Sequence, residues 1–209
     1  MDTDHQLPIT RVGVLGGTFD PPHNGHLLIA QQALTQLKLA QVLFAPTRQP
    51  PHKDVQVITP VEHRVEMVRL AIAGYPGFAL SRVDVDRQGP TFTLDTMRLL
   101  RGQLGKSAEL YFIMGMDSLA NILTWRDPAK LIQICNLAVF ARPGFQADLR
   151  DLEKAIPNLA ASIVFLPTTA VKIAASDLQR RISAGLPITE LIPTPVVKYI
   201  HEHKLYQNL

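Results

Sequence analysis

Cysteine is almost missing from this chain. Cys135 stands alone among 209 residues, so no intrachain disulfide can form, and a reducing compartment, the cytoplasm, is the expected location. Long apolar runs are missing as well. None approaches the ~20 residues that a membrane helix needs, and the polar residues 1–10 hold no signal-peptide core, so neither membrane insertion nor export is expected. Strong charge of one sign is absent, with a formal net charge of only +3. Aromatics make up 6% of the chain and Trp125 is the only tryptophan. Without clustered Lys/Arg and interleaved aromatics there is little to support nucleic-acid binding, and no such partner is expected. There is no repeat and no low-complexity segment. The chain is nonetheless 46% hydrophobic, which suits a large buried core.

Short β-rich runs alternate with amphipathic segments. Strands are predicted at 11–15, 41–46, 78–83, 108–115, 136–142 and 162–168. Helices are predicted from 27 onward, from Thr59-Pro60 to Gly74 with Thr59 as cap, and at 93–104, 117–124, 128–134, 176–184 and 195–203. Such alternation predicts an α/β fold, a Rossmann-like doubly wound parallel sheet with helices on both faces and a helical C-terminal end. The expected organisation is a flexible segment 1–10 followed by one domain over 11–209. Ligands of such sheets bind at the carboxyl ends of strands. The loops at 16–26, 48–58, 84–92 and 115–117 fall there.

The most informative of these is "GGTFDPPHNGH", Gly16 to His26. It joins an apolar run to a helix, and the first N–H groups of a helix form an anion site. Gly16 and Gly17 carry no Cβ, so a phosphate can approach their backbone closely. The pattern is neither G-x-G-x-x-G nor a P-loop, since no G-K-[ST] closes it. His23 and His26 lie three apart and can face the same way. As hydrogen-bond donors they suit phosphate oxygens. As a zinc pair they lack the further ligands, so no metal site is predicted on the protein. The chain also offers no Ser/His/Asp or Cys/His arrangement that would mark a protein nucleophile.

This stretch resembles the signature of the H-x-G-H nucleotidyltransferase superfamily. Together with "PPHK" (50–53), "DRQGPTFTLDT" (86–96), "YFIMGMDSL" (111–119), Trp125, "FARPG" (140–144) and "VVKYIHEHKLY" (196–206), it resembles the bacterial nicotinate-nucleotide adenylyltransferase family. The resemblance runs from Val12 to Tyr206. It implies transfer of AMP from ATP to nicotinate mononucleotide, giving deamido-NAD and pyrophosphate in NAD biosynthesis. It implies that the backbone of Gly16, Gly17, Thr18 and Phe19, with His23 and His26, holds the ATP phosphates, and that His26 stabilises charge at the α-phosphate. It further places Lys53 and the helix start at Ser176 near phosphate, Gly115 and Asp117 near the adenosine, and Thr93 and Trp125 at the nicotinate. Mg2+ would arrive held mainly by ATP phosphates and water. The partners implied are ATP and nicotinate mononucleotide, and a homo-oligomer is left open.

The chain departs from the family pattern in two places. Phe92 stands where the family usually has Tyr, so no polar role is assigned to it. The second phosphate motif, roughly I-S-S-T-x-x-R, reads "IAASDLQ" over 173–179, with Gln179 in the arginine's place. Losing one charge-assisted contact costs about 1.5–3 kcal/mol. Backbone donors and magnesium, with Lys53 and the histidines, are expected to carry the charge instead. Arg180 points about 100° away from position 179 on a helix and takes over only if the helix start is shifted. Two alternatives remain at this point: the same fold with another acceptor, such as phosphopantetheine, or a catalytically weakened nucleotide-binding protein.

Overall fold

The computed structural model describes residues 10–50, 58–141, 147–167 and 173–207. In chain order, β1 (Arg11–Gly17) leads into α1 (Asn24–Gln36), and β2 (Gln41–Pro46) into α2 (Val61–Ile72) and β3 (Phe78–Leu80). The helix α3 (Thr93–Leu104) returns the chain to β4 (Glu109–Gly115), followed by α4 (Met116–Ala120) and α5 (Pro128–Leu131). Then come β5 (Asn136–Phe140), α6 (Leu149–Ala155), β6 (Ile163–Leu166), α7 (Ala175–Ser183) and α8 (Thr194–Glu202). The six strands form one parallel sheet in the order β3-β2-β1-β4-β5-β6. That order reverses direction between β1 and β4, where a doubly wound sheet opens a crevice for ligands.

Both sheet faces are covered. Leu27, Ala30, Met67, Val68, Val196 and Ile200 pack α1, α2 and α8 on one face. Leu94, Met97, Leu100, Leu119, Leu131 and Leu152 pack α3 to α6 on the other. Burial on both faces explains why the strands read as continuous apolar runs. Gly13 is demanded by this packing, since a Cβ there would lie 2.7 Å from the Leu39 side chain. Among the described residues no helix is long and apolar enough to cross a membrane.

Several local expectations shift. β1 continues past Leu15 through Gly16 and Gly17, which pair in register with Ala45 and Pro46, so the two glycines end a strand rather than make a turn. β3 stops at Leu80, and 117–124 divides into α4 and a 3-10 turn at Ile122–Thr124. The helix α6 was not among the expected elements; Asp148 caps it by accepting from the Arg150 and Asp151 amides. Thr59 does not cap α2, which begins at Val61; its amide donates to Asp20 Oδ2 at 3.2 Å and its carbonyl accepts from Arg64 Nε at 2.8 Å. Pro60 takes the cap position, and Glu62 pairs with Arg82 at 2.9 Å instead of closing a capping box.

Candidate active site

A cavity of about 860 Å3 opens at the carboxyl ends of β1 and β4, within the size range of small-molecule sites. Gly16, Gly17, Thr18, His23 and His26 line it on one side, with Gly115 at the end of β4 and Asp117 just beyond it. Thr93 and Trp125 line it as well. These sequence-predicted residues thus come together from four separate stretches of the chain. Gly16 is tight against this wall: a Cβ there would sit 3.3 Å from the Phe112 ring.

The two histidines are built as a unit. His23 is the N-cap residue of α1, with extended backbone, and His26 is its third helical residue. The His23 amide donates to His26 Nδ1 at 3.2 Å, and the two rings stack with centroids 3.7 Å apart. The exchange has the form of a capping box with imidazoles in place of hydroxyl and carboxylate, although only the His26 half closes as a hydrogen bond. An accepting Nδ1 puts the proton of neutral His26 on Nε2, so that nitrogen is a donor. Gly25 is needed here, because a Cβ would lie 3.0 Å from His23 Nδ1. Phe19, in the left-handed region at φ 51°, is buried behind the pair and meets His26 edge-on at 4.9 Å. Its ring therefore orients His26 rather than lining the cavity.

Burial pulls the His23 pKa down from 6.5 to about 4, and burial with the charge of His23 lowers that of His26 well below its usual value. Both rings are neutral near pH 7. His23 Nδ1 is buried and has no hydrogen-bond partner among the described residues, on a ring that faces the cavity. Such an orphan in a cavity wall is the kind of group a ligand satisfies. The depressed pKa also has a stability consequence. Between about pH 6.5 and 4 the unfolded chain binds a proton at residue 23 that the folded chain does not. Lowering the pH through that window therefore destabilises the fold, by about 3 kcal/mol at its lower end. Urea unfolding at pH 7, 5.5 and 4 should show this loss in the wild type and a flatter profile in His23→Gln. Identical profiles would contradict it.

The second group of side chains surrounds Trp125, which is half-buried and edge-on to Phe112 at 5.8 Å. Arg126 lays its guanidinium 4.9 Å from the Phe92 ring centre and pairs with Asp95 at 3.3 Å. The ring of Phe92 thus serves as a cation–π surface, which needs no hydroxyl. Thr93 opens α3 after Phe92. Behind it the buried Asp84 accepts from Thr96 Oγ1 at 2.8 Å and from Arg87 Nε at 3.0 Å. Asp117 folds its carboxylate back over Gly115, where any Cβ would overlap Oδ1. It is the second residue of α4, so Gly115 rather than Asp117 holds the cap position.

Of the predicted residues Ser176 is not in the cavity wall, and neither is Gln179, the departure from the family motif. Lys53 lies outside the described residues. Ser176 is exposed and is not the cap of α7, which begins one residue earlier at Ala175 with Ala174 as N-cap. Gln179 turns to the loop before α1, donating from Nε2 to the Asp20 carbonyl at 2.7 Å. In its stead Arg180 lines the cavity, paired with Asp177 at 2.7 Å. Among the described residues Arg126 and Arg180 are the arginines lining the cavity; the sequence reading gave Arg126 no role and Arg180 one only with a shifted helix start. Arg126 had a usable signal in its place beside Trp125, whereas the facing of Arg180 depends on a helix start that pattern alone leaves uncertain by a residue or two.

Comparison with known proteins bears on this geometry. The cytidylyltransferase-like family model matches residues 14–184. A protein named "Probable nicotinate-nucleotide adenylyltransferase" from Thermomicrobium roseum is 42% identical over 201 residues, covering 96% of this chain and 94% of its own. The chain belongs to the nicotinate-nucleotide adenylyltransferase family. A second family member, from Symbiobacterium thermophilum and with the same printed name, is 44% identical over 95% of this chain and 96% of its own. Among solved structures, "Plasmodium falciparum nicotinic acid mononucleotide adenylyltransferase complexed with NaAD" superposes with a TM-score of 0.78. It covers 94% of this chain and 97% of its own, and at 19% identity it attests the fold shared across the family.

Proposed function

We propose that this chain transfers AMP from ATP to nicotinate mononucleotide, releasing pyrophosphate and forming deamido-NAD. The observation that carries the reading is the stacked, neutral His23–His26 pair at the start of α1, facing a cavity at the β1/β4 crossover. A phosphate oxygen of nicotinate mononucleotide attacks the α-phosphorus of ATP. One P–O bond forms, the bond to the β-phosphate oxygen breaks, and the electron pair leaves with pyrophosphate. No protein nucleophile is required, so the work is positioning and neutralisation of charge. His26 Nε2–H donates to the oxygens on which charge develops, and His23 holds the neighbouring phosphate. The Gly16–Thr18 backbone admits the phosphates closely. Arg180, released from a surface pair worth little in water, supplies charge that Gln179 does not. Asp117 accepts from a ribose hydroxyl, Trp125 stacks on the pyridine ring, and Thr93 donates to the nicotinate carboxylate.

Among the described residues no group of three His, Cys, Asp or Glu could hold a metal ion. Magnesium therefore enters this reading as part of the ATP substrate, bound by phosphates and water, and no step is routed through a protein-held metal. We place residues 11–209 in one nucleotidyltransferase domain working in the cytoplasm, where Cys135, buried and pushed up to about 12, stays an unreactive thiol. The test is release of pyrophosphate from ATP and magnesium on adding nicotinate mononucleotide. Release with phosphopantetheine instead, or with neither acceptor, would overturn the proposal. Trp125→Ala should raise KM for nicotinate mononucleotide by an amount worth about 1–3 kcal/mol, with KM for ATP unchanged. Equal losses for both substrates would make Trp125 a packing residue only.

A further inference from the structure

The residue that touches most of this machinery is not in the cavity wall. Asp20 follows Phe19 in the loop before α1 and is 3% exposed. Three segments distant in sequence converge on it. Tyr206, near the C-terminus, donates its hydroxyl to Asp20 Oδ1 at 2.5 Å. The Thr59 amide, at the entry to α2, donates to Oδ2. Gln179 of α7 donates to the Asp20 carbonyl. The next turn is held from the same direction: the Asn24 amide donates to the Leu191 carbonyl and Asn24 Nδ2 to the Glu190 carbonyl, both at 2.9 Å.

A buried carboxylate is costly to strand, so removing the Tyr206 or Thr59 donor leaves the Asp20 carboxylate imperfectly satisfied, and removing Gln179 strips a donor from the Asp20 backbone carbonyl. The cheapest relaxation is movement of the loop between β1 and α1 that carries Asp20, since the sheet beneath it is packed on both faces. That loop carries His23 and His26 three and six residues on. Gln179 acts in the same way from α7, whose neighbouring residues Ala174, Asp177 and Arg180 line the cavity. Gln179 is thus not a vacated phosphate ligand but a latch.

We propose that Asp20 is a positioning residue for adenylyl transfer, through which Tyr206 and Gln179 keep the His23–His26 loop and helix α7 in one fixed relation across the cavity. The proposal rests on the adenylyltransferase reading above. Its consequence is that the C-terminal residues act on catalysis without touching substrate. Misplacement of a reacting geometry by an ångström costs rate rather than affinity for the half of the substrate bound elsewhere.

The test compares wild type, Tyr206→Phe, Gln179→Leu, the double variant, and Leu159→Ala, a buried change in the core on the far face of the sheet. Inactive wild type would overturn the adenylyltransferase reading itself. With active wild type, Tyr206→Phe and Gln179→Leu should each lower kcat about tenfold, with KM for nicotinate mononucleotide unchanged. The double variant should lose less than the product of the two, since both act through one residue. Leu159→Ala should lower the melting temperature at least as much and keep wild-type kcat at a temperature where all variants are folded. Wild-type kcat in both single variants, or kcat losses that merely follow melting temperature across the whole set including Leu159→Ala, would overturn the proposal. Tyr206→Phe removes one oxygen and no carbon, so it preserves the packing and carries the test if Gln179→Leu does not fold.

Discussion

His26→Ala is expected to lower kcat by roughly 10²–10³, as loss of a preorganised donor to developing charge does. The ring is held on three sides. Nδ1 accepts from the His23 amide, one face stacks on His23, and Phe19 meets it edge-on. Those contacts leave Nε2–H as the group with work to do at the substrate. Because burial keeps the ring neutral, it donates without carrying charge of its own, and acidifying toward pH 6 should not switch the activity on. The melting temperature should change far less than activity, since helix α1 keeps its buried Leu27, Ala30 and Ala33. Steady-state kinetics and a melting curve on the same preparation decide the matter. A variant with near wild-type kcat would remove His26 from the mechanism.

Arg64→Met is expected to cost about 3–5 kcal/mol of stability, the range for breaking a buried, hydrogen-bonded charge. Arg64 is 1% exposed on α2. Its guanidinium donates to the carbonyls of Thr59 at 2.8 Å, Thr18 at 2.8 Å, Thr47 at 2.7 Å and Arg48 at 3.2 Å. One side chain therefore ties the ends of β1 and β2 to the entry of α2. Methionine has a similar apolar stem but satisfies none of those four acceptors, so the loss is one of hydrogen bonds more than of volume. The nearby Asp20 favours the charged guanidinium while burial opposes it, and Arg64 is held below the usual arginine range. Denaturant unfolding of the variant measures the loss. A change below about 1 kcal/mol, the scale of an exposed pair, would show that the carbonyls find water instead.

The Gln179–Arg180 pair shows why motif reading stops where it does. Matching the family pattern correctly marks position 179 as the anomaly. Residues 179 and 180 cannot both face the cavity, because each step along a helix rotates a side chain by about 100°, and it is Arg180 that lines it. The start at Ala175 follows from the extended backbone of Ala174, which no side-chain cap specifies. Ser176 looks like a cap by type and lies two residues too late. Thr59 likewise looks like a cap by type and lies one residue before the cap position, which Pro60 holds.

By itself the sequence determined what local pattern can carry. The β/α alternation and apolar strands dictate a parallel sheet covered on both faces, and the strand-to-helix stretch Gly16–His26 marks its ligand end. Two histidines three apart at a helix start can face the same way, and the sequence marks them as a pair. Tertiary structure alone decided the partners of Asp20, which lie at 59, 179 and 206, and the four carbonyls that share Arg64. It also decided that Arg180 and not Gln179 reaches the cavity. Apart from Thr59 with Arg64, these are contacts between groups 16 to 186 residues apart in the chain. Nothing in the periodicity of either partner encodes such a meeting, because it exists only once the sheet has set the distance between the loops.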